Sequence, residues 1–521
     1  RHVLVRHEQA AAHAADGYAR VSGKVGVCLA TSGPGATNLI TGIATAHMDS
    51  SPIIAITGQV NIPDIGNDAF QEVDTMGLTM PIVKHNFQLR NVEKLPEIID
   101  EAYYISNTGR PGPIVIDIPK NIFTQEIDDK DITTKIKTPG YNPTHKGNPR
   151  QIKKVINEIN QAKKPMIIAG GGVIISEASH ELVEFAETTQ IPVATTLMGK
   201  GSITEKHPLS LGLIGMHGIE ETNTSIKEAD LIIAIGCRFS DRSTGKKEDF
   251  APNSIIIHID IDPAEIGKNI PVDIPIVGDA KTVLHEINEK ITVPTHSLWT
   301  EEVTQKRQSY QPKLNYNTIP LKPQQTLNEI MQATEYDTII TTDVGQNQMW
   351  MAHHYKTRKP RTFITSGGLG TMGFAIPASI GAQIAKPEKD VLCICGDGGF
   401  QMTSEELATI KEEELPITIC ILNNRLLGMV AQWQKLFYDN RLSETQLSNT
   451  PDFIKLADAY NIESTRIERP GELQETIIEA RKSREPHIID IPIDPEELLL
   501  PMVPPGGSIT KMISEEEKKN E

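Results

Sequence analysis

Short apolar runs rich in valine and isoleucine, each closed by Gly, Ser, Thr or Asp, recur along the chain with helix-length stretches between them. That alternation marks βαβ units, because two parallel strands need a crossover long enough to hold a helix. The predicted fold class is therefore α/β, with three doubly wound parallel-sheet domains. In the first block, VGVCLAT (25–31), IIAIT (53–57) and PIVIDIP (113–119) read as strands, and 8–20 and 36–48 as helices. The second block carries PMIIAGGG (165–172), IPVATT, ADLIIAIG, SIIIHIDID and PIVGD (275–279). The third carries YDTIITTDVG (336–345), DVLCICGDGG (390–399), ITICILNN (417–424) and HIIDIPID (487–494).

Polar, proline-punctuated stretches at 125–150 and 291–325 read as linkers. They leave domains at 1–124, 151–290 and 326–500, with a tail at 501–521 whose end, SEEEKKNE, is a solvated charge run. The chain opens on a strand-like VLV that leads straight into a helix. The first block is thus expected to lack the opening strand and helix of a complete sheet, as after an N-terminal truncation.

Composition narrows the class. At 521 residues and 38% hydrophobic content the chain has material for about three packed domains. No run approaches 18 apolar residues, and RHVLVRHEQ lacks the apolar core of a signal peptide, so the expectation is a soluble protein with no membrane partner. A net charge of -17, from 68 acidic against 51 basic residues, repels phosphate backbones and argues against nucleic acid. Cys28, Cys237, Cys393, Cys395 and Cys420 all lie in apolar surroundings without C-x-x-C spacing, which predicts buried, reduced thiols in a cytosol-like compartment.

The most specific chemical signal is GDGGF at 396–400 followed by Asn423 and Asn424. Two apolar strands deliver Asp397 and Asn424 at their carboxyl ends, and in a parallel sheet both emerge on the edge where ligands bind. A carboxylate and an amide oxygen, completed by water and phosphate, suit magnesium. Gly396, Gly398 and Gly399 let a diphosphate approach the backbone, and a helix starting near Thr403 with Glu406 in a capping box is expected to orient the turn.

GDG followed at this distance by NN resembles the thiamine diphosphate enzymes, and the resemblance extends over nearly the whole chain. More narrowly, the chain is similar to the catalytic subunits of the acetohydroxyacid (acetolactate) synthases. The motifs are RHEQ (6–9), TSGPGATN (31–38), DAFQE (68–72), GRPGPIVIDIPK (109–120), GMHG (215–218), GCRFSDR (236–242), HIDIDPAEIGK (258–268) and GMVAQWQ (428–434).

The resemblance implies a role for each matching residue. Glu8 bonds the pyrimidine ring nitrogen and favours the imino tautomer that activates thiazolium C2. Met429 wedges the cofactor into a bent shape. Gln346, Asn347, Gly370, Thr371 and Met372 wrap the diphosphate and pyrimidine, and Asp397, Asn424 and the backbone carbonyl of Leu426 hold Mg2+. The family usually has histidine where Asn347 stands, and asparagine keeps an N–H donor without a titratable charge. In similar enzymes the first and third blocks around one cofactor belong to different subunits, which implies a homodimer or dimer of dimers. A small regulatory subunit is a further candidate partner.

A second cofactor, FAD, is implied in the middle block. Gly170, Gly171 and Gly172 alone are a weak dinucleotide hint. Asp260 and Asp262 are placed to take ribose hydroxyls, and Met216, His217, Gly236, Arg238, Asp241, Asp279 and Arg110 match flavin contacts. The net reaction needs no redox step, so this flavin is expected to be structural. Trp433 is implied to narrow the acceptor pocket and Arg242 to grip the acceptor carboxylate. Phe70, Gln71 and Lys120 match its mouth. Ser240 replaces an aspartate of the family's FDDR, and Ala10 and Ala11 stand where it often has glycines.

The implied reaction decarboxylates pyruvate and ligates the hydroxyethyl group to a second pyruvate or to 2-ketobutyrate, opening valine, leucine and isoleucine synthesis in a bacterial cytoplasm or a plastid stroma. A pyruvate oxidase or decarboxylase is the alternative within this chemistry, disfavoured by the Arg242 and Trp433 segments. A non-catalytic scaffold is the alternative outside it, disfavoured by intact Glu8, Asp397 and Asn424.

Overall fold

Isoleucine and valine fill the central strands because those are covered on both faces, so side chains of both parities are buried, whereas the strand Gly26–Ala30 of the first sheet leaves Val27 and Leu29 exposed. A computed structural model describes residues 1–127, 138–292, 297–309 and 312–514. Among them, three sheets form, and every strand pair within them is parallel.

The first sheet has β1 (Gly26–Ala30), β2 (Ile53–Gln59), β3 (His85–Gln88) and β4 (Ile114–Pro119), in the order β1-β2-β4-β3. The helix expected over 36–48 is two helices, Pro34–Asn38 and Ile40–Met48, joined at Leu39.

The central sheet has β5 (Pro165–Ala169), β6 (Val193–Thr195), β7 (Ser210–Leu213), β8 (Leu231–Ile235), β9 (Ile255–Asp260) and β10 (Ile274–Val277). Its order, β10-β9-β8-β5-β6-β7, is that of dinucleotide-binding folds, with the switch point between β5 and β8.

The third sheet has β11 (Ile339–Thr342), β12 (Phe363–Thr365), β13 (Val391–Gly396), β14 (Ile417–Asn423), β15 (Glu463–Arg466) and β16 (His487–Pro492), ordered β12-β11-β13-β14-β16-β15. Its switch point lies between β11 and β13, so the segments after Thr342 and Gly396 flank one crevice.

Two segments differ from expectation. The stretch 291–325 contains a helix, Ser297–Ser309, whose Trp299 and Val303 are buried in the central domain's core, with Trp299 Nε1 donating to Pro165 O at 3.1 Å. Of the expected tail, 501–514 packs on the molecule: Met502 and Val503 are buried beside Met216, and Ile509 enters the central core. The expected solvated run from 515 onward lies outside the described residues, as does 128–137 of the first expected linker.

The first and third domains of the chain are joined by the helix Glu8–Ser22, which packs along the helix Ala375–Ala385. Both carry small residues at the contact. A Cβ on Gly17 would sit 2.2 Å from Ala378 O, and one on Gly381 would sit 1.9 Å from Ala14 O, so only glycine permits this approach.

Candidate active site

β13 ends at Gly396, and Asp397 begins the short helix Asp397–Gln401 directly, earlier than the start expected near Thr403. Asp397 is fully buried, and neither carboxylate oxygen has a hydrogen-bond partner. Burial pushes its pKa up to about 7. Two orphaned buried carboxylate oxygens fit a cation ligand, since a group that lost its water without gaining a partner carries a large desolvation cost.

Asn424 follows β14 and donates from Nδ2 to Gln346 Oε1 at 3.2 Å, while its Oδ1 accepts the Leu426 N–H at 3.1 Å. Among the described residues no group of three or more His, Cys, Asp or Glu could hold a metal. A cation at Asp397 would therefore draw the rest of its shell from amide oxygens, backbone carbonyls and ligand, the donor set of magnesium. A Cβ on Gly396 would meet nothing within 4 Å, which leaves room for a ligand at the strand end. Asn347 is buried, its Oδ1 accepts Gln348 N at 2.7 Å, and its Nδ2 is unpartnered.

Asp343, which sequence reasoning missed, fixes the opposite wall. Its carboxylate accepts the N–H groups of Gly373 (3.0 Å) and Ala375 (3.1 Å), tying the turn after Gly370–Met372 to the end of β11. Burial pushes its pKa up to about 6. Gln432, also missed, accepts Gln346 Nε2 at 2.9 Å and Leu499 N at 2.8 Å.

A cavity of about 820 Å³ lies between the third domain, the central domain and the end of the helix Ile40–Met48. Gly370, Met372, Met429 and Trp433 line one part of it. Trp433 Nε1 is buried without a partner. Thr371 turns away, its Oγ1 lying 2.7 Å from Thr45 Oγ1, and correspondingly does not line the cavity.

The other part runs along the carboxyl edge of the central sheet, past Gly171, Gly172, Gly236, Arg238, Asp241, Asp260 and Asp279. At the switch point a Cβ on Gly172 would lie 2.6 Å from Gly236 Cα, so β5 and β8 deliver two glycine turns in direct contact. Gly170 packs behind them, donating to Ile235 O at 2.9 Å.

Asp260 faces the cavity, with burial raising its pKa to about 6. Asp262 does not; it lines an adjoining cavity of about 340 Å³ and is taken by Arg110 Nη1 at 3.2 Å, which also holds Glu265 at 2.7 Å. Asp279 caps the helix Ala280–Asn288 through Thr282 N at 3.0 Å.

Met216 and His217 line the same wall, and burial lowers the His217 pKa to about 4. Arg242 also lines it, with a side chain 59% exposed, Nη1 donating to Met216 Sδ at 3.2 Å and Nε 3.8 Å from Asp241 Oδ2.

Glu8 is the first residue of the helix Glu8–Ser22 and accepts Asn38 Nδ2 on Oε2 at 3.0 Å. It does not line the cavity. Phe70, 89% exposed, Gln71 and Lys120, expected at the mouth of the pocket, do not line it either. They stand on the first domain with Glu8: a Cβ on Gly33 would lie 2.8 Å from Gln71 O, and one on Gly35 would lie 3.5 Å from Glu8 Oε1. Within one chain, then, the predicted site divides into a first-domain set, a cavity set and the Asp397–Asn424 set, which with Gln346 and Asn347 does not line the cavity either.

Glu406 makes no capping box. Its buried carboxylate accepts the backbone N–H groups of Arg6 and His7 and the Thr409 hydroxyl.

Comparison with known proteins assigns the class these sites define. Residues 1–78 match the N-terminal TPP binding domain of the thiamine pyrophosphate enzymes, 152–287 their central domain and 343–491 their C-terminal TPP binding domain. The chain is 55% identical to a probable acetolactate synthase large subunit of Methanococcus aeolicus, over 98% of this chain and 88% of that one. It matches the probable large subunit of Methanocaldococcus jannaschii at 55% over the same shares, and the acetolactate synthase large subunit of Haemophilus influenzae at 45% over 98% and 91%. The chain belongs to the thiamine diphosphate-dependent acetolactate synthase large subunits.

Proposed function

We propose that the chain decarboxylates pyruvate and joins the two-carbon remainder to a second pyruvate or to 2-ketobutyrate, releasing carbon dioxide with no net redox change. The observation that carries this reading is Asp397, whose two buried, unpartnered oxygens stand at the switch-point edge of the third sheet beside Asn424. Asp397, Asn424 and the Leu426 carbonyl would hold Mg2+ against the diphosphate, with the unpartnered Asn347 amide and the Gly396–Gly399 backbone as N–H donors. Thiamine diphosphate, when bound, supplies the carbon nucleophile and the electron sink. Glu8 would hold a proton at the pyrimidine nitrogen, Met429 would pack against the bound cofactor, and Trp433 and Arg242 would shape and charge the acceptor pocket.

The β7-β6-β5-β8-β9-β10 order, the Gly172–Gly236 contact and Asp260 at the strand edge fit FAD along the central domain. Because carboligation is redox-neutral, this flavin fills structure, and reducing it leaves the reaction largely intact.

We read the site as completed by a second copy, in a homodimer or a dimer of dimers: Glu8 stands on the first domain beside Gln71 and, like Asp397, does not line the cavity that holds Met372 and Met429. Leu29 and Met80, 59% and 67% exposed like Phe70 on the first domain, are the apolar surface such a copy would cover. Since the relatives are large subunits, a small regulatory subunit is the further partner. Among the described residues no helix is long and apolar enough to cross a membrane, and all five cysteines are free and buried, which suits a cytoplasm or plastid stroma.

Anaerobic incubation with pyruvate, thiamine diphosphate, Mg2+ and FAD tests the reading. Acetolactate and carbon dioxide are expected, with yellow holoprotein. Acetaldehyde alone, or oxygen uptake in proportion to pyruvate under air, would contradict it.

A further inference from the structure

The cavity has one wall that both of its parts share: the segment after β12, with Ser366–Gly370 and Met372 lining it. This segment is not held by its own domain alone. Gly367 lies against the central domain, where a Cβ on it would sit 2.4 Å from Met198 Sδ. Its other side is anchored to the first domain by two separate links.

The first link is ionic. Arg20, near the end of the helix Glu8–Ser22, grips Asp16 through Nε (2.6 Å) and Nη2 (2.8 Å) and Asp49 Oδ2 through Nη2 (2.9 Å), and gives Nη1 to Thr365 O at 2.6 Å. Asp49 Oδ2 in turn accepts the Gly367 N–H at 3.1 Å. The Asp16 and Asp49 side chains are fully buried and Arg20 is 11% exposed, so these charge-assisted bonds are little screened. The second link is the Thr45–Thr371 hydroxyl pair, with Thr371 N also donating to Ser366 Oγ at 3.0 Å.

Neither Arg20 nor Thr45 lines the cavity. We propose that Arg20 and Thr45 are positioning residues that hold the 365–371 segment in its binding geometry before either cofactor arrives, so that thiamine diphosphate and FAD bind against this wall independently of each other. The inference rests on the two-cofactor reading above.

A wall already fixed costs neither ligand any ordering. A loosened wall must be ordered by whichever ligand binds first, and the second then finds it in place, which makes the two affinities cooperative. The helix that carries Arg20 also carries Glu8 at its other end, twelve residues or about 18 Å away. The residue implied to act on the cofactor and the residue that holds this cavity's wall are thus two ends of one rigid element.

The test is calorimetric titration of the full-length protein with thiamine diphosphate plus Mg2+, with and without saturating FAD, and the reverse. The variants are Arg20→Lys, which keeps the charge but cannot fork to three partners, and Thr45→Val, which puts a methyl in place of the hydroxyl that meets Thr371 Oγ1 and donates to Thr41 O. In the parent, each cofactor's affinity changes less than about twofold when the other is present. In each variant, either cofactor alone binds about tenfold weaker, the loss expected for one charge-assisted or buried hydrogen bond, and the other cofactor restores the affinity.

A loss that the second cofactor does not restore would mean direct contact or general damage and would overturn the inference, as would parent-like binding in both variants. Should Arg20→Lys fail to fold, Thr45→Val decides alone. A parent protein that binds neither cofactor would contradict the functional reading instead.

Discussion

The Glu406 carboxylate of the third domain accepts the backbone N–H of His7 at 3.0 Å and of Arg6 at 2.9 Å, immediately before Glu8. The residue implied to act on the pyrimidine is thus held at its root by a buried acid 398 positions away in sequence, in a domain whose own cavity it does not enter.

That relationship predicts the effect of Glu406→Gln. Both N–H groups share Oε1, so an amide oxygen can still accept them, but the charge assistance is lost and the NH2 takes the place of the oxygen that accepts the Thr409 hydroxyl. Carboligation should fall about tenfold or more while cofactor affinity is kept, because the 397–399 turn is untouched. Steady-state rates beside a thiamine diphosphate titration check this.

Asp397→Ala deletes the buried, unpartnered carboxylate at the third sheet's switch point. Mg2+-dependent binding of thiamine diphosphate should weaken by more than about a hundredfold, since even outer-shell partners of a metal ligand cost about 10- to 100-fold. Unchanged affinity in a titration would remove Asp397 from the cation site.

The legible parts of the molecule were those whose signal is local. Strands β5, β8, β13 and β14 are continuous apolar runs ending in Gly, Asp or Asn, so both the sheets and the Asp397–Asn424 pair follow from a few adjacent residues. Glu406 misled because Thr403-x-x-Glu406 satisfies the capping-box spacing while its partners, Arg6 and His7, are remote in sequence. Arg20, Asp49 and Asp343 were missed for the same reason: each is a charge inside an ordinary helix or strand end whose meaning comes from a loop elsewhere. The helix Ser297–Ser309 hid behind its composition, since its two buried apolar residues, Trp299 and Val303, make too narrow an apolar stripe to stand out.

His13 gives a pH prediction. It is fully buried at the contact between the first and third domains, 5.3 Å from the Phe374 ring, and burial lowers its pKa to about 4. The unfolded chain therefore binds a proton more readily than the folded one, and stability is complete above about pH 6.5 and lost as pH falls toward 4, by up to about 3 kcal/mol from this residue. His217 and His354, also lowered to about 4 by burial, add to the slope. Denaturant unfolding from pH 7.5 to 4.5 should show this fall, and His13→Gln should make it shallower.

Trp433 bears on the choice of acceptor. Its ring lines the cavity beside Met429 and stands edge-on to Phe437 at 6.1 Å. An ethyl group gains contact there that a methyl cannot, worth about 1 to 3 kcal/mol, or roughly 10- to 200-fold in selectivity. Trp433→Leu should erase most of the preference for 2-ketobutyrate, read as the ratio of acetohydroxybutyrate to acetolactate from mixed keto acids. An unchanged ratio would reduce Trp433 to packing.

The central claim is that one site takes Glu8 from one chain and Asp397 from another, and mixing two inactive variants tests it most directly. Glu8→Gln and Asp397→Ala should each be inactive alone. Unfolded together and refolded, they should regain activity, because each hybrid dimer holds one site with both native residues; random pairing sets the yield at about a quarter of the parent's. No recovery from hybrids shown to have formed would mean that each chain builds its site alone, and would contradict the account.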